Sequence, residues 1–110
     1  MAFEYGHRFT RKAASDVTGI VDYLAGELEN PSAAAAFKKK LQGCMETLRQ
    51  FPQSGSFVRN AYLPAWNVRW KPVGRYLLLY RVNGDEQMIE VLRVVYGKQN
   101  MEDVVQNLSN

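Results

Sequence analysis

Residues 73–97 hold more apolar side chains than a strand pair with one wet face can use, and this limits what the chain can fold into. Residues 76–82 and 89–95 read as two β-strands, and Asn83-Gly84 between them is a strong hairpin turn signal. A two-residue loop and a four-residue loop give the same pairing parity. Tyr76, Leu78, Tyr80 and Val82 are therefore expected to share a face with Ile89, Val91, Arg93 and Val95. The opposite face carries Leu77, Leu79, Leu92 and Val94, with Arg75, Arg81, Glu90 and Tyr96 among them. Both faces are apolar enough to need a cover.

Helices earlier in the chain can supply one cover. Phe3, Tyr5 and Phe9 alternate with Glu4 and Arg8, which predicts a short opening strand, and Thr10 then stands as a helix N-cap. Ala13, Val17, Ile20, Val21, Leu24 and Leu28 follow at three- and four-residue steps, with Asp16, Asp22 and Glu27 on the other sides. Asn30-Pro31 ends that helix and starts a second, because asparagine caps and proline suits the first helical position. Phe37, Leu41, Cys44, Met45 and Leu48 mark its apolar stripe. So short a connection predicts an antiparallel helical hairpin.

Lys38-Lys39-Lys40 on the second arm reads as a solvated face. After the break at residues 51–56, Trp66, Val68 and Trp70 alternate as a further strand that Pro72 ends, and Arg69 falls opposite the tryptophans. Lys98 to Asn110 holds Met101, Val104, Val105 and Leu108 at helical spacing. The expected fold is thus α+β in one domain, 1–110: an N-terminal strand, an antiparallel helical hairpin, a three-stranded antiparallel sheet and a short C-terminal helix.

Composition excludes several classes. A lone Cys44 and a lone His7 supply no metal-ligand set and no internal disulfide, so no metal or cofactor is expected. No apolar run is long enough for a membrane span, and residues 1–12 lack a hydrophobic signal core, which suggests a cytoplasmic protein. A net charge of +3 suits an acidic protein partner or a nucleic acid and establishes neither. Gly55, Gly74, Gly84 and Gly97 are isolated turn residues without phosphate-loop spacing.

The local motifs carry a resemblance. Ile20 and Tyr23-Leu24 in the first helix, Asn30-Pro31 at the bend, Ala36-Phe37 in the second helix, and Leu48, Phe51-Pro52 and Gly55 after it are similar to the RelE/ParE superfamily of type II toxin-antitoxin toxins. So are residues 74–82 and 89–94, and the match runs from about Arg8 to Asp103. The RelE-like branch cuts ribosome-bound mRNA with charged or proton-carrying groups at three positions. Here these fall on Leu77, on Gln99 and near Val105, none of which moves a proton or holds a phosphate. The motifs look closest to the ParE branch, whose members inhibit DNA gyrase by binding it, although Tyr96 and Gln99 stand where that branch commonly has histidine and arginine. The resemblance therefore implies a non-enzymatic toxin, with gyrase as target and a cognate antitoxin with an acidic C-terminal segment as partner in a hetero-oligomer. Direct nucleic-acid binding and membrane association are not implied. A RelE-like ribonuclease and a degenerate toxin that only binds antitoxin are the alternatives.

The arginines keep three readings on this sequence. They pair with carboxylates of the sheet, they anchor the antitoxin's acidic segment, or they bind phosphate. The resemblance implies an antitoxin- or target-binding surface of Arg69, Arg75, Arg81, Arg93 and Lys98 around a strip of Leu77 and Leu79, with no catalytic residue and no metal ligand.

Overall fold

The computed structural model describes residues 4–58 and 67–97. Strand β1 (Gly6–Phe9) leads into α1 (Arg11–Asp22), which runs on into a π-helical turn (Tyr23–Glu27) before α2 (Pro31–Gln50). The strands β2 (Ser56–Phe57), β3 (Arg69–Val73), β4 (Tyr76–Asn83) and β5 (Met88–Tyr96) follow. Both expected caps are present. Thr10 accepts from the Ala13 N–H at 3.1 Å and donates its hydroxyl to the Leu92 carbonyl at 3.0 Å, so one residue starts α1 and ties it to β5. Asn30 Oδ1 accepts from the Ala33 N–H at 3.0 Å with Pro31 at the first helical position.

The sheet is larger than the sequence pattern indicates: five strands in the order β1-β5-β4-β3-β2. The opening strand joins it, parallel to β5, with Gly6 opposite Met88 and Phe9 opposite Val91. Two-residue β2 adds the other edge. The alternation of the opening segment announces β1 but not its pairing, because its partner lies some eighty residues away, and β2 is too short to leave a periodic signature. Pro72 does not end β3 but sits inside it opposite Leu77. It is tolerated because β2 pairs only with Arg69 and Trp70, so no described ladder runs along the outer edge at Pro72. The anticipated C-terminal helix, Trp66 and Lys98 lie outside the described residues.

The β4–β5 turn is four residues, Gly84 to Gln87, and the Glu86 N–H bonds to Asn83 Oδ1 at 3.1 Å. Parity holds from Val82–Ile89 to Tyr80–Val91. There a bulge intervenes: Leu79 faces Arg93, leaving Leu92 unopposed. Beyond it the expected faces exchange. Val94 joins Leu78 in the core under the helices, with Ala13, Phe37, Met45, Leu48, Tyr80, Ile89 and Val91, while Val95 joins Leu79, Leu92 and Val68 on the other face.

Tyr80 anchors the exit from α2. Its ring is fully buried, and its hydroxyl donates to the Pro52 carbonyl at 2.7 Å and accepts from the Gly55 N–H at 2.9 Å. A Cβ on Gly55 would stand 2.5 Å from that oxygen and 2.8 Å from the Trp70 carbonyl, so only glycine passes here. Tyr80→Phe is expected to cost about 1–3 kcal/mol by stranding a buried N–H. Gly55→Ala should also destabilise, because backbone must yield to make room. Urea denaturation of the two variants checks both, and wild-type midpoints would refute the assignment.

Candidate functional site

The leucine strip comes first. Leu79 is completely enclosed, and Leu92, Val95 and Val68 are buried with it, with Leu77 and Val58 packed against them. The Val58 N–H bonds to the Val68 carbonyl at 2.8 Å, which extends the β2–β3 pairing by one rung and brings both side chains to this cluster. The strip expected to be an open docking surface is a second, smaller core.

Most of the arginines are engaged within the molecule. Arg93 meets Asp16 of α1 with two hydrogen bonds, Nε to Oδ2 at 2.7 Å and Nη2 to Oδ1 at 3.1 Å. The same Oδ2 accepts the Val94 N–H at 3.0 Å. Since β1 ends opposite Val91, Asp16 caps a β5 edge that no described strand continues. The guanidinium of Arg93 is held charged, its pKa raised first by the hydrogen bond to Asp16. Arg81 lies 3.5 Å from Glu90, and Arg8, on the far side of Glu90, lies 2.8 Å from it. The three residues form one register row across β1, β5 and β4. Glu90 consequently titrates below its ordinary 4.5, foremost because Arg8 hydrogen-bonds it. Arg69 donates to the Gly55 carbonyl at 2.8 Å and the Gln53 carbonyl at 3.2 Å, and stacks 3.8 Å above the Phe57 ring.

Arg75 differs. It sits in the two-residue β3–β4 turn beside Gly74, whose φ of +61° lets the chain reverse, and its side chain has no hydrogen bond or ion pair among the described residues. It lines a groove of about 1000 Å³ between the helical hairpin and the C-terminal end of β5. Ile20, Leu24, Ala36 and Phe37 from the helices line it, as do Tyr76 and Tyr96 from the sheet. Phe37, Tyr76 and Tyr96 form an edge-on aromatic series with centroids 5.2 and 5.9 Å apart. Tyr23, Leu28 and Tyr96 are about half exposed at its rim. Burial pushes the Tyr76 phenol up, followed by the neighbouring Tyr23 and Tyr96, against the pull of Arg75.

Lys40 also lines this groove, beside the Gly74 turn. In the sequence it disappears into a lysine run, and only a helix phase tied to a known sheet position separates it from Lys38 and Lys39. Of the seven anticipated contact residues, then, Arg75 stands in the groove as an unengaged cation. Arg93 lines the groove but is paired, Leu77 and Leu79 pack in the second core, Arg69 and Arg81 hold neighbouring backbone or carboxylate, and Lys98 is outside the described residues. His7 is exposed on β1, its ring 6.2 Å from Phe9. Among the described residues no group of three metal-ligating side chains exists, and no helix is long and apolar enough to cross a membrane.

The molecule is a small α+β domain with an apolar, cation-rimmed groove, and comparison with known proteins gives the family. The family model of the ParE toxin of the type II toxin-antitoxin system, parDE, matches residues 7–101. The chain belongs to the ParE toxin family. Its fold is similar to that in the chromosomal ParDE toxin-antitoxin system from P. aeruginosa, at TM-score 0.65 and 25% identity, over 86% of this chain and 98% of that one. The toxin-antitoxin complex RelBE2 from Mycobacterium tuberculosis matches at TM-score 0.59 and 24% identity, over 84% and 98%. The isolated E. coli RelE toxin matches at 0.54 and 15%, over 94% and 98%. No curated protein matches. The RelE/ParE fold and the toxin-antitoxin assignment both follow.

Asp16→Ala is expected to cost about 1–3 kcal/mol, because it strands a partly buried guanidinium and the Val94 N–H together. Arg93→Met should cost less, since Asp16 keeps its backbone donor. Equal losses in thermal or chemical unfolding would contradict this ordering. Glu90, with its folded pKa lowered, stabilises the fold above its unfolded value of 4.5, and that contribution is lost as pH falls through the folded value. Glu90→Gln should therefore lose stability less steeply than wild type between about pH 5 and about pH 3. Parallel pH profiles would count against it.

Proposed function

We propose that this toxin acts by protein binding as an inhibitor of DNA gyrase, and that its cognate antitoxin neutralises it by occupying the groove between the helical hairpin and β5. The observation that carries this reading is the groove itself. It offers an aliphatic and aromatic floor, a half-exposed apolar rim and two unengaged cations, which is the make-up of a surface that grips a polypeptide. Its one described carboxylate, Asp16, is taken up by Arg93 and the Val94 N–H, so no carboxylate among the groove's described residues is poised as a general base for a ribose hydroxyl. The position that carries an arginine in RNA-cutting members of the superfamily is Leu77, packed against the second core. The similarity to a ParDE system supports the gyrase branch, and the similarity in fold to RelE leaves it to experiment.

The decisive comparison is a gyrase supercoiling assay run beside a ribosome-bound mRNA cleavage assay with the same preparation. Inhibited supercoiling with intact message is the expected result. Cleaved message would replace the proposal with ribonuclease action, and inactivity in both would leave a toxin reduced to antitoxin binding.

A further inference from the structure

The charges lining the groove divide into used and unused. Asp16 and Arg93 neutralise one another. Lys40 and Arg75 have no hydrogen bond or ion pair among the described residues, and the hydroxyls of Tyr23, Tyr76 and Tyr96 have no hydrogen-bond partner there. Two cations and three phenolic donors thus face a groove whose only described acid is spent. A neutral occupant could satisfy these donors only with ordinary hydrogen bonds and a basic one would repel the cations, whereas carboxylates offer charge-assisted bonds to both.

We propose that Lys40 and Arg75, assisted by the three phenols, set the charge specificity of the groove, so that it takes an amphipathic segment of a partner protein with carboxylates at the Gly74 end. This rests on the reading that the groove seats the antitoxin, and it specifies which cations that partner meets. Arg69, Arg81 and Arg93 are not the contacts, because an incoming acid would first have to displace their internal partners. A nucleic acid fits less well: a phosphate backbone could use the cations but gains nothing from Ile20, Leu24 or Leu28.

Three labelled synthetic helical peptides serve as probes, each with a leucine stripe flanked by glutamate, glutamine or lysine, and a single-stranded RNA oligonucleotide is the fourth. Fluorescence anisotropy should show the Leu/Glu peptide binding about tenfold tighter than Leu/Gln, with the gap narrowing at high salt. Lys40→Glu with Arg75→Glu should reverse the preference toward Leu/Lys. Lys38→Glu with Lys39→Glu makes the same change in net charge on exposed α2 positions outside the groove lining and should leave the preference intact. Equal loss in both pairs would reduce the effect to net charge and overturn the proposal, as would tighter binding of the RNA. Ala36→Trp, at an exposed lining position, separates the two levels. Unchanged peptide binding in that variant would remove the groove as the seat. Lost binding in Ala36→Trp, without charge discrimination by Lys40 and Arg75, would remove only this inference.

Discussion

The architecture depends on a strand pair that cannot tolerate water on either side. Leu78, Tyr80, Ile89 and Val91 require the helical hairpin on one face, and Leu79, Leu92 and Val95 require a second cover on the other. Burying both faces of β4 and β5 puts these strands in the middle of the sheet, with β1 on one side and β3 on the other. The helices meet the sheet chiefly through α1 on β5, with α2 reaching β3 and both touching β1. Where α1, α2 and the β3–β4 turn diverge, a groove remains.

One bulge determines what the groove contains. By leaving Leu92 unopposed, it moves Val94 under the helices and Val95 to the other face. Had the pairing run on without a shift, Val95 and not Val94 would share the face of Leu78. Asp16 then does two jobs at once, since it neutralises Arg93 and caps the edge N–H that β1 is too short to reach. In the groove the acid is consumed by Arg93, and the basic residues at the Gly74 turn remain.

Local chemistry was legible in the sequence, and long-range pairing was not. Thr10 and Asn30-Pro31 announce helix starts because capping needs only the next three residues, and the Asn83 turn keeps parity at any even loop length. The bulge at Leu92 leaves no trace, because Leu92 and Arg93 are acceptable on either face until the register is known. The partners of the arginines were hidden for a related reason. Asp16 and Arg93 are 77 residues apart, and Arg69 bonds to carbonyls, which every residue has. Neither the freedom of Arg75 among five similar cations nor the groove position of Lys40 within a run of three can be read before the fold is known.

The distribution of the arginines bears on what such a fold can evolve to do. A guanidinium bonded to a carboxylate or to carbonyls of its own chain holds loops and edges in place, and recruiting it for a ligand would release what it holds. Arg69, Arg81 and Arg93 are committed in this way, so changes in binding preference are open to residues whose loss leaves the core intact. Arg75 in a turn and Lys40 on an exposed helix face meet that condition, and so do the rim side chains Tyr23 and Leu28. Substitutions at these positions leave the β4–β5 centre in place. The same fold holds in a ParDE system, in RelBE2 and in RelE at a quarter identity or less.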